Sequence, residues 1–67
     1  MYKVGQKLKI GYYDGFGVNK TFVKVGAEVI KVSGNLITLM LEFEDGERKM
    51  LHGYDFQVTE MERNFYK

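Results

Sequence analysis

Apolar residues recur at every second position over most of this chain, and eight glycines with no proline cut the alternating segments short. A period of two residues is typical of a β-strand, because successive side chains point to opposite faces of the sheet. Glycine at this frequency favours turns and short strands over long helices. The sequence therefore predicts a small all-β fold.

The first predicted strand covers residues 4–13, with apolar side chains on one face and lysines on the other. Its inward positions are Val4, Leu8, Ile10 and Tyr12. The next residues, 14–20, are rich in turn formers and lack any periodicity. Binding residues concentrate on such loops, so this segment is the candidate functional loop.

The second predicted strand alternates from Val23 to Val29, and its apolar positions then change parity at Ile30 and Val32. A change of parity without a turn predicts a β-bulge, which bends the strand. A bend of this kind lets a small sheet curl onto itself and bury its inner face.

The third predicted strand covers residues 36–44, with its apolar side chains on a single face. Asp45-Gly46 joins it to a fourth strand at residues 47–52. Asp-Gly between two alternating segments is a strong hairpin signal. These residues therefore predict two neighbouring antiparallel strands.

The C-terminal part of the chain has the weakest periodicity. Residues 53–56 suit a single 3₁₀ turn and residues 57–59 a short closing strand, which makes five strands in all. In the remaining residues 60–67, Met61 and Phe65 are four positions apart, as on one face of a helix. These last residues are expected to form a frayed tail or a short helix.

Short turn and strand motifs follow one another in a fixed order along the chain. They are Val4-Gly5-Gln6, Tyr12-Tyr13-Asp14-Gly15, Ala27-Glu28-Val29-Ile30, Ser33-Gly34-Asn35, Leu41-Glu42-Phe43-Glu44-Asp45-Gly46 and Tyr54-Asp55-Phe56. Over residues 4–59 this order resembles the Tudor and Agenet group of SH3-like barrels. The resemblance implies a small five-stranded SH3-like (Tudor-like) barrel. It also implies an aromatic cage for methylated Lys or Arg at Tyr13, Phe16 and Phe43.

The composition limits the size, the location and the chemistry of the protein. Its 67 residues suit one domain, expected at residues 1–59, and 45% apolar residues are enough for a core. The absence of cysteine excludes disulfides and thiolate metal sites, which favours a cytoplasmic protein. The longest apolar run, Leu39-Met40-Leu41, is far too short for a membrane span.

Catalytic side chains are scarce in the sequence. His52 is the only histidine and Ser33 the only serine, and Ser33 lies in a turn. A nucleophile, a base and an orienting group are needed together, so the chain is not expected to be an enzyme. Four carboxylates near the hairpin are expected to be solvated rather than to bind a metal, and no cofactor is expected. They are Glu42, Glu44, Asp45 and Glu47.

Aromatic residues supply the first candidate binding site. Tyr12, Phe43 and Phe56 fit the inward positions and are expected in the core. Other aromatic side chains fit these positions poorly, and exposed aromatics near a loop are typical of an interaction patch. With Phe43 from the cage, the candidate partner-binding residues are Tyr13, Phe16, Phe22, Phe43 and Tyr54. The favoured hypothesis is a non-catalytic module that binds a protein or peptide.

Lysines supply the alternative candidate site. Residues 1–31 carry six lysines and two acidic residues, whereas residues 32–67 carry four basic and seven acidic residues. Lysines interleaved with aromatics suit single-stranded nucleic acid, which needs charge for the phosphates and rings for the bases. The candidate contacts are Lys7, Lys9, Lys20 and Lys24. The overall charge of only +1 favours the protein partner.

Met40 and Leu36 point away from the predicted core and suggest a second patch, such as a homodimer surface.

Overall fold

Four antiparallel strands and one helix make up the protein in a computed structural model that describes residues 1–67. The strands are β1 (Lys7–Asp14), β2 (Thr21–Ser33), β3 (Leu36–Glu42) and β4 (Arg48–Tyr54), and the helix is α1 (Asp55–Phe65). They form a single sheet in the order β1-β2-β3-β4, in which each strand pairs with its neighbour in sequence. The prediction of an all-β domain with a short C-terminal helix is confirmed.

One face of the sheet carries the hydrophobic core, as the alternation of apolar residues predicts. The buried strand residues are Leu8, Ile10, Tyr12, Val25, Ala27, Val29, Ile37, Leu39 and Leu41. The prediction for Val4 is wrong, because Val4 is exposed and β1 begins only at Lys7. The inner face is therefore built by three strands, and β4 adds the partly buried Leu51.

The predicted bulge is present in β2. Val29 pairs with Leu39, and Lys31 pairs with the next residue of β3, Thr38, so that Ile30 is the extra residue. An extra residue on one strand increases the local twist and bends that strand. The bend carries the end of β2 and the start of β3 out of the plane of the rest of the sheet.

The predicted 3₁₀ turn and fifth strand are wrong, because Gly53 and Tyr54 end β4 and residues 55–59 belong to α1. The backbone N–H of Tyr54 donates to the Gln57 side-chain oxygen at 2.8 Å, and that of Asp55 donates to the Asn35 carbonyl at 2.8 Å. These bonds satisfy donors at the helix start, where the Asp55 carboxylate also complements the helix dipole. Phe56, which the alternation places in the core, is 71% exposed on this helix.

Helix α1 completes the core that four strands leave open. Val58 on its first turns is fully buried among the strand residues, and Met61 packs against the same cluster. The helix packs mainly against β1. The domain boundary that the sequence predicts, at residue 59, lies in the middle of this helix.

Two close contacts hold α1 on the sheet. In its middle, the buried Tyr2 lies 3.0 Å from the Thr59 hydroxyl and donates its own hydroxyl proton to Glu62. At its end, the helix backbone passes directly over Gly11 of β1. A Cβ at this glycine would lie 3.0 Å from the carbonyl carbon of Asn64, so only glycine fits. The helix therefore crosses β1 from the core side to the outer face.

The first and last strands are the two edges of the sheet. The Lys49 ammonium near the start of β4 lies 3.0 Å from the Asp14 carboxylate at the end of β1. This ion pair connects the two edges by side chains alone, because β1 and β4 are not paired strands.

No helix in the protein has the length and apolar character that crossing a bilayer requires.

Candidate functional site

Two of the predicted site residues form an aromatic pair on the outer face of the sheet. Tyr13 of β1 lies directly opposite Phe22 of β2, and their ring centroids are 5.1 Å apart with an interplanar angle of 59°. A tilted pair at this distance is a favourable aromatic geometry. Tyr13 is 65% exposed, so the pair presents a polar hydroxyl and two ring edges to a ligand.

The β1–β2 loop beside this pair projects two apolar side chains into water. Phe16 is 91% exposed and Val18 is 99% exposed. The loop closes on itself, since the Asn19 N–H donates to the Phe16 carbonyl at 3.0 Å. Gly15 has a φ of +114°, and a Cβ there would lie 2.5 Å from the Asn19 carbonyl oxygen. Phe16, Val18 and the Tyr13–Phe22 pair are called the loop patch below.

Phe43 does not belong to the loop patch. It is partly buried, packs against the core and lines an open cavity of about 640 Å³. The same cavity is lined by Lys9, Lys24 and Phe65. Tyr13 and Phe22 instead line a separate cavity with Asn64 and Lys67. The structure thus separates Phe43 from the two other residues of the cage that the resemblance implies.

Tyr54 lies on a second apolar surface. It is the last residue of β4, opposite Leu36, and its ring stacks on Phe56 with centroids 6.3 Å apart and planes 1° apart. Lys49, which meets the end of β1, is near the other end of the same strand. Tyr54 and the loop patch are therefore parts of different surfaces.

The predicted lysine stripe is largely engaged within the protein. Lys7 forms ion pairs with Glu28 at 2.8 Å and Glu42 at 3.6 Å, and the hydrogen bond to Glu28 raises its pKa. Lys9 and Lys24 lie 5.9 and 5.6 Å from the centre of the Phe65 ring. These are cation–π distances, so one ring at the helix end holds two ammonium groups.

Carboxylates stand next to these lysines. The cavity that Lys9 and Lys24 line is also lined by Glu42, Glu44 and Asp45. Like charges repel, so these acidic groups lower the affinity of the surface for phosphates. Lys20, the fourth lysine of the predicted stripe, lies in the β1–β2 loop and forms no ion pair. Lys20 borders the loop patch along the chain, and Lys24 follows Phe22 by two residues on the same face of β2.

The single histidine bonds to a threonine on the outer face. His52 Nδ1 and the Thr38 hydroxyl are 3.0 Å apart, and both line a cavity of about 470 Å³ with Ser33. No carboxylate lines this cavity, so the partner of the imidazole is the Thr38 hydroxyl and not an acidic group such as a catalytic triad uses. No cluster of three or more His, Asp or Glu side chains is arranged to hold a metal ion.

Sequence reasoning missed two residues of the surface and core. Tyr2 lies outside every predicted strand, yet its pKa is raised to about 12, first by burial and then by the hydrogen bond to Glu62. The sequence places Phe65 only on one face of a helix, whereas in the structure its ring lies within cation–π distance of Lys9 and Lys24. The spacing of Val58, Met61 and Phe65, at i, i+3 and i+7, is the helical signal that leads to Phe65, and no local signal leads to Tyr2.

Comparison of the chain with protein-family models, with curated proteins and with solved structures gives no match. Its function is therefore argued from its own surfaces.

Proposed function

We propose that this chain is a non-catalytic binding module that docks a protein partner through the loop patch. The observation that carries the proposal is the exposure of Phe16 and Val18 beside the Tyr13–Phe22 pair. Apolar side chains in water cost free energy that a partner's apolar surface recovers on binding. The loop closure at Asn19 reduces the ordering cost of that step.

The chemistry of the loop patch favours a protein over a nucleic acid. Its side chains are apolar except for the Tyr13 hydroxyl, and only two cations without an ion pair or a cation–π contact, Lys20 and Lys67, lie beside it. Nucleic-acid affinity needs several free cations to contact phosphates. Lys7, Lys9 and Lys24 are held by carboxylates or by the Phe65 ring. Single-stranded nucleic acid is the alternative ligand.

For the fold, the proposal is a partly open SH3-like barrel of the Tudor/Agenet-like group, in which α1 takes the place of the fifth strand. The sequential strand order, the bulged β2 and the helix that packs across β1 support it. A cytoplasmic location belongs to the same proposal and is supported by the absence of cysteine.

The proposal is tested by capture from a lysate of the source organism on immobilised protein. We expect a partner that the wild-type chain retains and that Phe16→Ala loses, because Phe16 is the most exposed ring of the loop patch. Phe56→Ala is the matched control. It removes the same side chain from a position 71% exposed on the other apolar surface. Capture that Phe16→Ala leaves unchanged contradicts the loop patch as the docking site.

A further inference from the structure

The free edge of β4 points to a further interaction. β4 is the last strand of the sheet, so one side of it has no ladder partner. No backbone group of residues 48–53 takes part in the hydrogen bonds outside the strand ladders and the helix. An edge with unpaired N–H and C=O groups is a template for another strand.

The hairpin geometry identifies which groups are free. Phe43 N–H donates to the Glu47 carbonyl, and residue pairs bonded across an antiparallel ladder alternate with unbonded pairs. The bonded pairs that follow therefore use Lys49, Leu51 and Gly53, by the observed register. The backbone groups of residues 48, 50 and 52 point away from β3, toward the free edge.

We propose that β4 pairs with β4 of a second copy of this chain, antiparallel and about a two-fold axis at Leu51. In this register Met50 lies opposite His52 of the second copy, and the two residues exchange both backbone hydrogen bonds. The two-fold axis repeats this bonded pair, which gives four hydrogen bonds in total. Every residue that bonds in this way is one whose backbone groups are free.

The side-chain charges of β4 select the same register. Arg48 lies opposite Tyr54 of the second copy, and Lys49 opposite its Gly53, so no two cations face each other. An arginine next to a tyrosine ring gains a cation–π contact. A shift of the axis to Met50 instead places Arg48 opposite His52 of the second copy, away from the tyrosine ring. The strand is thus self-complementary in charge.

The apolar side chains of the outer face extend the contact. Met50 is 55% exposed and lines the same cavity as Leu36, and Tyr54 lies four residues further along the same face of β4. Pairing at the β4 edge brings the two copies of this face into one continuous surface. A seven-residue edge is short, so we expect a weak dimer that forms at high protein concentration.

Disulfide cross-linking tests the register, because the chain has no native cysteine. An equimolar mixture of Met50→Cys and His52→Cys is expected to form the mixed disulfide dimer at least tenfold faster than either variant alone. Directly opposite residues meet the distance that a disulfide needs, whereas the same position in the two copies is offset by two residues and does not. Equal rates in the mixture and in the single variants overturn the register.

Sedimentation of the wild-type chain across a concentration series tests the dimer itself. We expect the mass to rise toward two chains, and a monomer at every concentration overturns the proposal. Met50→Lys/His52→Lys places like charges opposite each other and is expected to abolish the dimer. Met50→Lys/His52→Glu places opposite charges there and is expected to restore it.

A charge-matched control separates this proposal from the loop patch. Phe16→Lys/Val18→Lys adds the same two charges in the β1–β2 loop, outside the β4 edge, and we expect it to keep the dimer. If this variant loses the dimer while Met50→Lys/His52→Lys keeps it, the contact lies at the loop. That result overturns the β4 interface. Each variant is first checked for a native amide spectrum by NMR.

Discussion

Tyr2 shows how a single side chain near the start of the chain stabilises the other end. Its hydroxyl donates to Glu62 and lies beside Thr59, both on α1. A hydrogen bond to a charged acceptor stabilises a fold by about 1.5–3 kcal/mol. The contact spans nearly the whole sequence, which is why no local pattern predicts it.

We predict that Tyr2→Phe lowers the free energy of unfolding at neutral pH by about 1–2 kcal/mol, because the ring stays and the hydroxyl bond is lost. The folded-state pKa of about 12 lies above the ordinary value of 10.0. The unfolded chain therefore loses the phenolic proton first, and stability is present below pH 10 and declines as the pH rises toward 12.

The measurement is urea unfolding from pH 7 to 12 for both proteins. Raised pKa values of Tyr12, Lys7 and Lys49 add a decline of the same sign, so the difference between wild type and Tyr2→Phe isolates Tyr2. We expect this difference to shrink above pH 10. A difference that is constant with pH contradicts the assignment.

Gly11 is the residue at which the helix end and the outer face of β1 come closest. A Cβ there would lie 2.6 Å from Phe22 Cζ and 3.0 Å from the Asn64 carbonyl carbon. We predict that Gly11→Ala lowers the free energy of unfolding by about 1–3 kcal/mol, the range for overpacking. Gly26→Ala is the control, because a Cβ at Gly26 meets nothing within 4 Å. Equal losses in the two variants, measured by urea unfolding, contradict this role.

Among individual residues, the alternation predicts burial well within the strands and poorly at their ends. Leu39 and Leu41 are fully buried as expected, whereas Val4 and Phe56 are exposed. A period of two applies only where the backbone is extended. Val4 precedes β1 and Phe56 lies on a helix, so the alternation of apolar residues does not predict the burial of either side chain.

At the scale of elements, the strands, both hairpins and the bulge follow from local patterns, and the helix start does not. Its first residues follow Tyr54, which is not one of the usual N-cap residues. The Tyr54 N–H donates instead to the side-chain oxygen of Gln57, three residues later. A search for a capping box, Ser or Thr followed three residues later by Glu or Gln, therefore begins the helix too late, at Thr59 with Glu62.

We predict that truncation after Thr59 abolishes cooperative unfolding. A chain closed by a strand at residues 57–59 would tolerate this cut, but the cut removes Met61 and Glu62 and leaves α1 with about one turn. Fewer than about twelve residues make only a marginal helix in water. Removal of Tyr66 and Lys67 alone is the control and is expected to keep the transition.

Thermal unfolding followed by circular dichroism distinguishes the outcomes of this truncation. A sharp transition after truncation at Thr59 contradicts the role of α1 in the core. A broad transition in both variants places the contribution in the last two residues instead.

At the scale of the whole molecule, the basic first half and the acidic second half do not form separate faces. Lys7 pairs with Glu42, Lys49 pairs with Asp14, and Lys9 shares a cavity with Glu44. Sequence alone leaves this arrangement open, because the pairing of distant strands decides which charges meet. The structure brings the two halves together where β2 pairs with β3 and where the end of β1 meets the start of β4.

The mixture of charges leads to a prediction for single-stranded nucleic acid. In an NMR titration with a mixed-sequence single strand, we expect weak shifts near Lys9 and Lys24 at low salt that vanish at about 0.15 M salt. Glu44→Gln/Asp45→Asn removes two carboxylates from the same cavity and is expected to tighten this low-salt binding several-fold. Glu60→Gln, on the exposed side of α1, removes a carboxylate elsewhere and is expected to change it little.

The weak binding of the wild type and the tighter binding of Glu44→Gln/Asp45→Asn have one cause. The carboxylates beside the lysines repel the phosphates, and the double variant removes two of these carboxylates. Wild-type shifts at Lys9, Lys20 and Lys24 that persist at about 0.15 M salt contradict the prediction and favour the nucleic-acid function over the protein partner. Shifts confined to the Tyr13–Phe22 pair that do not change with salt place base stacking on the loop patch, because stacking on rings responds little to ionic strength. In that case the apolar loop, rather than the lysines, is the part of the molecule that determines what it binds.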